Sequence, residues 1–161
     1  MRKLEKVSFE EFKKYFGNNK ELYDSYNIPV RKTKHSAGYD FELIESYMLK
    51  PGMSIKVPLG IKADMNDGEF LMLVVRSSVG IKHNIRMQNQ VGIIDKDYYE
   101  NEENEGHMFV KLQNQGDEEV ILKKGDGIVQ GLFMRYYTTD EEVQVTKIRN
   151  GGSGSTTESE C

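Results

Sequence analysis

The pair Asp95 and Tyr98 has residue types and a spacing that suit hydrolytic chemistry. Asp95 directly follows the glycine-bearing apolar run Val91–Ile94, and Tyr98 lies three residues further along. A carboxylate at the end of a strand can hold a water molecule and remove its proton. A nearby aromatic ring can pack against a sugar or a base. The segment therefore indicates a site that activates water beside a ring-bearing ligand, although a plain turn at a hairpin end has the same pattern.

A second segment, Arg76-Ser77-Ser78-Val79-Gly80, follows the apolar run 70–75 and suits a phosphate group. A guanidinium offers a planar fork to phosphate oxygens, while hydroxyls and backbone N–H groups can fill the remaining acceptor positions. The alternative is an arginine paired with a surface carboxylate. Considered by itself, the segment is compatible with either a phosphate-binding site or a surface ion pair.

Three other segments have simpler explanations when each is considered separately. The stretch 36–40 (SAGYD) is typical of a tight turn, and the stretch 125–131 (GDGIVQG) is typical of a turn entering a buried strand. The stretch 151–157 (GGSGSTT) has the composition of a linker. Its unobstructed N–H and hydroxyl donors would also suit a polyphosphate, but the spacing is not that of a P-loop.

The elements that must position these residues are mainly short strands. Apolar runs alternate with turn signals rich in glycine, asparagine and aspartate, which predicts an all-β sandwich, jelly roll or barrel. The runs are Met53–Val57, Phe70–Val75, Met108–Leu112, Val120–Leu122 and Ile128–Met134. The charged stretch 100–106 (ENEENEG) is predicted to be a solvated surface loop.

The N-terminus departs from this pattern and predicts a short amphipathic helix over residues 8–16. Ser8 and Glu11 have the spacing of a capping box, Val7 is placed to contact Phe12 as a hydrophobic staple, and Gly17 follows the last turn. An apolar stripe at helical spacing favours docking on the protein's own core, with a partner-binding helix as the alternative. The stripe consists of Phe9, Phe12 and Phe16.

Composition narrows the function classes. The 161 residues suit one domain, and 26 acidic against 22 basic residues give a net charge of −4, which argues against a nucleic-acid polymer or an anionic membrane as partner. The longest apolar run, Phe70–Val75, is far shorter than a membrane span. The single cysteine, Cys161, is compatible with the cytoplasm. The three histidines lack metal-ligand spacing, so no structural zinc site is expected.

Taken together and in this order, the five polar segments closely resemble the five motifs of the trimeric dUTP pyrophosphatases (dUTPases). The resemblance runs from Ile28 to Thr157 and includes the stretch 28–33, IPVRKT. It implies an all-β jelly-roll or β-barrel domain at 27–149, a short N-terminal helical extension at 1–26, and a flexible C-terminal arm at 150–161 that closes over the site. It also implies a cytoplasmic homotrimer with active sites at subunit interfaces, hydrolysing dUTP to dUMP and pyrophosphate.

The resemblance also assigns roles to individual residues. Asp95 would be the general base for water attack on the α-phosphorus, and Tyr98 would pack under the deoxyribose, where a ribose 2′-hydroxyl would clash. Asn89 would contact the sugar, and Gly92 would let the backbone approach the uracil. Phosphate contacts would come from Arg76, Ser77 and Ser78 of a neighbouring subunit and from Gln130 of the fourth motif. The arm would add Arg149, Ser155 and Thr156, and Asp40 would belong to the surrounding polar shell. Magnesium would be held mainly by the phosphates and water.

Two positions depart from the family pattern. Gly127 stands where the fourth motif usually has an arginine, and Ser153 stands where the arm usually has an aromatic residue that covers the uracil. Two alternative functions remain. A dCTP deaminase of the same fold would need a glutamate on the stretch 110–116, which has none. A dUTPase-like regulator would bind a protein partner through the N-terminal helix and use the nucleotide as a switch.

Overall fold

The structure is a computed structural model that describes residues 1–149 and 151–152. Within them the chain forms eleven strands, three α-helices and one short 3-10 helix, Lys96–Tyr98. The helices are α1 (Phe9–Phe16), α2 (Lys20–Ser25) and α3 (Ser77–His83). The strands are β1 (Lys3–Lys6), β2 (Tyr39–Glu42), β3 (Tyr47–Leu49), β4 (Ser54–Pro58), β5 (Ile61–Asp64), β6 (Glu69–Val75), β7 (Ile85–Met87), β8 (Val91–Asp95), β9 (Phe109–Asn114), β10 (Val120–Leu122) and β11 (Gly127–Arg135).

All described strand pairs are antiparallel. The largest sheet has the order β2-β11-β6-β8, the next has the order β4-β9-β7, and β1-β5 and β10-β3 form two smaller pairs. Alternate residues of these strands point inward, as the period of a strand requires, and form one core. Fully buried members include Phe41, Leu71, Leu73, Leu112 and Val129. The predicted all-β architecture is confirmed.

The five apolar runs of the sequence all lie in strands, namely β4, β6, β9, β10 and β11. Five shorter strands, β1, β2, β3, β5 and β7, have three or four residues each and lie outside those runs. Such short segments have too few residues to establish an alternating pattern on their own. Their strand conformation depends on the neighbours with which they pair.

The predicted N-terminal helix is confirmed, and it docks on the core. The Ser8 hydroxyl caps α1 by accepting a hydrogen bond from the Glu11 N–H at 3.1 Å, and the helix ends at Gly17 with a φ of 70°. Phe12 and Val7 are completely buried. No helix in residues 1–149 is long and apolar enough to cross a lipid bilayer.

The capping box is only half formed. Instead of returning to Ser8, the Glu11 side chain contacts the ring of His107, and the Ser8 N–H donates to the Glu105 carboxyl at 2.9 Å. The prediction of a complete box was therefore wrong because a tertiary partner replaces the local one. Helix α1 is tied in this way to a loop almost one hundred residues away in sequence.

The first 26 residues also contain elements that the sequence analysis did not predict. Strand β1 pairs along its length with β5, and α2 follows α1 with Asn19 as its cap. Beside β1, the Arg2 guanidinium donates three hydrogen bonds of 2.7–2.9 Å to the Glu69 carboxyl and lowers its pKa to about 2. The N-terminal segment is thus part of the folded domain rather than an appended helix.

The charged loop 100–106 is not simply a solvated surface segment. Glu105 binds the start of α1, Glu100 pairs with Lys62, and Glu103 accepts a hydrogen bond from the Gly152 N–H. Asn101 is buried and accepts backbone N–H groups of the same loop. Glu100, Glu102 and Glu103 are exposed as predicted, whereas Asn101 is buried and Glu105 is half-buried, so the prediction of a solvated loop holds only in part.

His107 joins this loop to the core in a defined protonation state. Its ring is fully buried, and its Nε2 accepts the Gly60 N–H at 2.9 Å. Nδ1 lies 3.0 Å from a Glu11 carboxyl oxygen. Since Nε2 is an acceptor, the proton of the neutral ring lies on Nδ1 and is donated to Glu11. Burial lowers the pKa of His107 below its ordinary value of 6.5, which favours this neutral form.

We predict that His107 makes folding stability depend on pH in the mildly acidic range. Below its ordinary pKa of 6.5 the unfolded chain protonates His107 while the folded chain does not, so the free energy of unfolding falls as the pH falls. The slope for one such group is at most about 1.4 kcal/mol per pH unit. Urea unfolding between about pH 7.5 and 5.5 should show this slope and a shallower one in His107→Gln.

His83→Gln is the matched control because it replaces an exposed histidine and leaves the buried contacts of His107 intact. Carboxyl groups with lowered pKa values, such as Glu69 and Glu105, lose their contribution only at more acidic pH. Equal slopes in the wild type and His107→Gln would contradict the assignment of a buried neutral imidazole.

Candidate active site

A cavity of about 590 Å³ lies between the turn that joins β7 to β8, strand β9 and the loop after Tyr98. It brings together five of the residues predicted from the sequence: Asn89, Gly92, Asp95, Tyr98 and, from the C-terminal segment, Arg149. The other residues that line it are Tyr15, Lys56, Leu73, Gln88, Ile93, Ile94, Glu103, Asn104, Phe109, Val110 and Lys111.

Asp95 stands at the last position of β8, where the strand gives way to the 3-10 helix. Its side chain is 53% exposed, so water can reach the carboxyl from the cavity. One carboxyl oxygen, Oδ2, lies 3.2 Å from Nη2 of Arg149. Asp95 is therefore an accessible carboxyl beside a cation, an arrangement that suits a group that orients and deprotonates water.

Tyr98 is held rigidly at the cavity wall. Its hydroxyl donates to the His107 carbonyl at 2.9 Å and accepts from the Asn104 side-chain amide at 2.9 Å. The residue is 7% exposed, and burial raises the pKa of its phenol, so the ring is neutral at physiological pH. With both polar functions of the hydroxyl satisfied, the ring offers the cavity a fixed apolar surface.

The segment that joins β7 to β8 and carries Asn89 turns tightly, with Gln90 at a φ of 64°, and Gly92 follows in β8. A side chain on Gly92 would place its Cβ 3.2 Å from Leu73 Cβ and 3.4 Å from Met87 Cε. Glycine therefore allows β8 to pack closely on the core at the point where it borders the cavity. This packing is a second reason for glycine at this position, besides the predicted approach of a ligand to the backbone.

A second cluster forms at the start of α3. Arg76 precedes the helix, its Nε lies 3.4 Å from Asp40 Oδ1, and its Nη1 donates to the Gly127 carbonyl at 3.3 Å. Ser77 and Ser78 occupy the first, exposed turn of α3. The segment 76–80 is thus the start of a helix, and its arginine is paired with a buried acid from the first motif.

Two glycines create the space for this second cluster. A Cβ on Gly127 would lie 2.4 Å from Nη1 of Arg76, and a Cβ on Gly38 would lie 2.4 Å from Oε1 of Gln130. The glycine found where the fourth motif usually has an arginine therefore has a structural role. It leaves room for the guanidinium of Arg76 at that position.

The two clusters lie at opposite ends of the same sheet. In the ladder between β6 and β8, Asp95 is opposite Phe70, whereas Gln130 of β11 is opposite Val74, two residues before Arg76. Phe70 and Arg76 are six residues apart along the chain, about 20 Å at the rise of an extended strand. One chain therefore does not bring Arg76, Ser77, Ser78, Gln130 and Asp40 to the Asp95 cavity.

The C-terminal segment enters the cavity through Arg149. Its backbone N–H donates to Asp97 Oδ2 at 3.1 Å, and its Cζ lies 5.7 Å from the centre of the Tyr98 ring. Its Nη1 donates to the Gly152 carbonyl at 3.3 Å. Arg149 is thus a cavity residue of its own chain. The predicted arm residues Ser153, Ser155 and Thr156 lie outside the described residues.

Several cavity residues were missed by the sequence analysis. Tyr15 comes from α1, Lys56 and Lys111 are directly paired on β4 and β9, and Phe109 lies beside them. Phe109 and Lys111 alternate along β9, so the strand pattern could have placed them on one face. For Tyr15 and Lys56 the sequence carries no such signal, because only the tertiary fold brings them to this cavity.

The part of the chain that the structure describes contains no cluster of three or more histidine, cysteine, aspartate or glutamate side chains suited to a metal ion. Asp95 and Asp97 are instead directed at the guanidinium of Arg149. These donors do not by themselves form a protein-built metal site.

The dUTPase family model matches residues 24–157, most of the chain. The chain is a member of the dUTPase family. A protein of Lactococcus lactis named deoxyuridine 5′-triphosphate nucleotidohydrolase is 49% identical over 131 residues, which cover 81% of this chain and 87% of the relative. A protein of the same name from Helicobacter pylori is 30% identical over 140 residues, with 84% and 92% covered.

Solved dUTPase structures agree with this membership. The dUTPase of Streptococcus mutans shares 36% identity with a TM-score of 0.70, covering 85% of this chain and 98% of its own. The dUTPase of Staphylococcus aureus phage phi11, at 18% identity and a TM-score of 0.66, supports the fold alone, with 94% and 99% covered. The expected dUTPase jelly roll is confirmed.

We predict that Gly127→Ala weakens binding of inorganic triphosphate about tenfold by displacing the guanidinium of Arg76. A hydrogen bond to a charged group contributes about 1.5–3 kcal/mol, which corresponds to a factor of ten or more. Calorimetric titration would measure the affinity, and a crystal structure of the variant would show the position of Arg76.

A double-mutant cycle provides the control, because Gly127→Ala can displace Arg76 only while Arg76 is present. In an Arg76→Ala background the same change should have almost no further effect on triphosphate affinity. Fully additive effects would mean that Gly127 acts through something other than Arg76.

Proposed function

We propose that this protein is a dUTP pyrophosphatase that hydrolyses dUTP to dUMP and pyrophosphate. The observation that carries the proposal is the cavity in which the half-exposed Asp95 lies with Tyr98, Asn89 and Gly92. The relatives named deoxyuridine 5′-triphosphate nucleotidohydrolase, one of them 49% identical, support the same reaction. The cytoplasm remains its predicted location.

The nucleoside binds in the cavity against the β7–β8 turn and the start of β8. Tyr98 packs under the deoxyribose, and its ring cannot retreat because both functions of its hydroxyl are engaged within the protein. A ribose 2′-hydroxyl would meet this fixed apolar wall without a hydrogen-bond partner, which disfavours UTP. Asn89 contacts the sugar, and the backbone at Gly92 approaches the uracil.

Asp95 acts as the general base. Its carboxyl accepts a proton from a water molecule, and the water oxygen forms a bond to the α-phosphorus. The bond between that phosphorus and the oxygen bridging to the β-phosphate breaks, and pyrophosphate leaves. Arg149 competes with the water for Asp95, since its Nη2 is 3.2 Å away. A bound triphosphate attracts this guanidinium and thereby frees the carboxyl.

The phosphates are bound by residues from more than one subunit. Within one chain, Arg76 and Asp95 are about 20 Å apart, as the rise of β6 from Phe70 to Arg76 indicates. We therefore propose a homotrimer in which Arg76, Ser77, Ser78 and Gln130 of one subunit complete the cavity of another. Asp40 orients Arg76 through their 3.4 Å contact. In the arm, Ser155 and Thr156 cover the phosphates together with Arg149.

Magnesium enters as part of the substrate, the Mg²⁺ complex of dUTP. In this proposal the ion would be held by phosphate oxygens and water, the oxygen ligands that Mg²⁺ prefers. The ion supplies positive charge to the phosphate groups, and Arg76 adds to it.

The cavity favours this reaction over the two alternatives. Its described lining contains only two acids, Asp95 and Glu103, and β9 contributes Phe109, Val110 and Lys111 rather than the glutamate of a dCTP deaminase. The regulator hypothesis relied on the apolar stripe of α1 as a partner surface. Phe12 is completely buried, and Phe9 and Phe16 pack against the core, so that stripe is already used.

We predict that Asp95→Asn lowers kcat for dUTP by about two to four orders of magnitude while leaving nucleotide affinity largely intact. An amide keeps the shape of the carboxyl but cannot take the proton of the water. Pyrophosphate release measures turnover, and calorimetry with a non-hydrolysable dUTP analogue measures affinity.

Asp67→Asn is the control, because Asp67 is an exposed aspartate outside the cavity and should retain wild-type turnover. The wild type should release pyrophosphate from dUTP in strong preference to dCTP, dTTP and UTP. Turnover near the wild-type value in Asp95→Asn would remove Asp95 as the base. Comparable turnover of the four nucleotides would contradict the dUTP assignment itself.

We also predict that inactive Asp95→Asn and inactive Arg76→Ala subunits regain activity when they are unfolded and refolded together. Mixed trimers contain some cavities with an intact Asp95 from one chain and an intact Arg76 from its neighbour. Each variant refolded alone should stay inactive. If mixed trimers form, as shown by mass spectrometry, and remain inactive, then the two residues do not come from different subunits in one site.

A further inference from the structure

Tyr15 extends the candidate site to the N-terminal segment of the chain. It lies near the end of α1 and lines the same cavity as Asp95 and Tyr98. The family model begins at residue 24, so this residue lies outside the matched region. Tyr15 remains 44% exposed although α1 docks on the core.

Two aromatic contacts hold the Tyr15 ring in place. It meets the His107 ring at a centroid distance of 5.0 Å and an angle of 85°, and the Phe109 ring at 5.0 Å and 61°. Both contacts are edge-to-face, an arrangement that aromatic pairs prefer. The orientation of Tyr15 is therefore fixed by the protein rather than chosen when a ligand binds.

The helix that carries Tyr15 is itself immobilised. The Ser8 hydroxyl and N–H bind Glu105, Glu11 contacts His107 at 3.0 Å, and Phe12 is completely buried. Because His107 also accepts the hydroxyl of Tyr98 through its carbonyl, the two tyrosines are positioned by the same residue. A ligand that contacts both rings would pay little entropy for ordering them.

Tyr15 also has binding capacity that the fold does not use. Within the part of the chain that the structure describes, its phenol oxygen takes part in no hydrogen bond, in contrast to the hydroxyl of Tyr98. Two other tyrosines of the C-terminal half, Tyr136 and Tyr137, do not line the cavity; the first packs near Phe70 and the second is 95% exposed.

We propose that Tyr15 contacts the pyrimidine base of the bound nucleotide, with the face of its ring against the base and its hydroxyl available to a polar group outside the plane of that base. This inference rests on the proposed function, since it takes a deoxyuridine nucleotide as the ligand of the cavity. An aromatic side chain suits a base because every base has a planar π-face. Tyr15 is a specificity-determining residue that affects affinity, and it takes no part in proton transfer.

The first test compares Tyr15→Ala with Glu10→Ala, a change on the exposed side of the same helix. Tyr15→Ala should raise KM for dUTP about tenfold, as expected for loss of one stacking contact, and keep kcat within about twofold. Glu10→Ala should change neither value. An unchanged KM in Tyr15→Ala at an unchanged melting temperature would overturn the proposal.

The second test does not depend on catalysis. The chain has no tryptophan, so Tyr15→Trp introduces a single tryptophan at the cavity, whose emission is distinct from that of the tyrosines. Titration with dUMP and with a non-hydrolysable dUTP analogue should change its fluorescence saturably. The matched control is Met48→Trp, on β3 outside the cavity at a comparable exposure of 49%, which should show no saturable change. The fluorescence titration also tests the proposal if Tyr15→Ala is unstable.

The outcomes separate this inference from the proposed function. Normal dUTP hydrolysis with an unchanged KM in Tyr15→Ala and an unresponsive Tyr15→Trp would overturn the role of Tyr15 alone. A nucleotide-dependent signal from Tyr15→Trp in a protein that does not hydrolyse dUTP would support the contact and overturn the reaction. Equal signals from Tyr15→Trp and Met48→Trp would also overturn the contact.

Discussion

The antiparallel register of β6 with β8 and β11 determines which residues of the site can meet. On one edge of β6, strand β8 places Asp95 opposite Phe70, and on the other edge, strand β11 places Gln130 opposite Val74. Because an extended strand has a nearly fixed rise per residue, no rotation of side chains brings Arg76 to Asp95 within one chain. The proposed assembly follows from this constraint, since a base and a phosphate ligand at opposite ends of a sheet can cooperate only across a subunit boundary.

A second constraint lies in the fully buried ring of His107. Its two nitrogens bind Gly60 and Glu11, and its carbonyl accepts the Tyr98 hydroxyl. Helix α1, the strand β5 region and the wall of the cavity are therefore joined at one residue. A buried polar group is costly unless each of its hydrogen-bonding positions is satisfied. Displacing α1 would leave His107 unpaired on one side, which explains how an N-terminal segment outside the family match can act as part of the site.

Local patterns predicted the elements that contain enough residues to show a period. The long strands β6 and β11 and the capped helix α1 were predicted because their apolar spacing and turn signals agree. The strand β1 was missed because its four residues acquire strand conformation only through β5. The motifs predicted the cavity around Asp95, Tyr98 and Asn89. Tyr15 was missed because its place in the cavity depends on contacts with His107 and Phe109, more than ninety residues away.

Composition alone gave a wrong expectation of solvent exposure where a charged side chain has a specific partner in the fold. Glu105 lies in a stretch that would ordinarily be solvated, yet it binds Ser8. Gly127 presents the opposite case, a missing side chain that looked like a lost phosphate ligand. A Cβ at this position would lie 2.4 Å from Nη1 of Arg76, whose Nε is 3.4 Å from Asp40 Oδ1. A larger side chain at 127 and Arg76 in its present position are mutually exclusive. The residue types at positions 76 and 127 are therefore coupled. With glycine at 127, the guanidinium of Arg76 fills the space that a side chain at 127 would take, and a positive charge is kept at this end of the sheet.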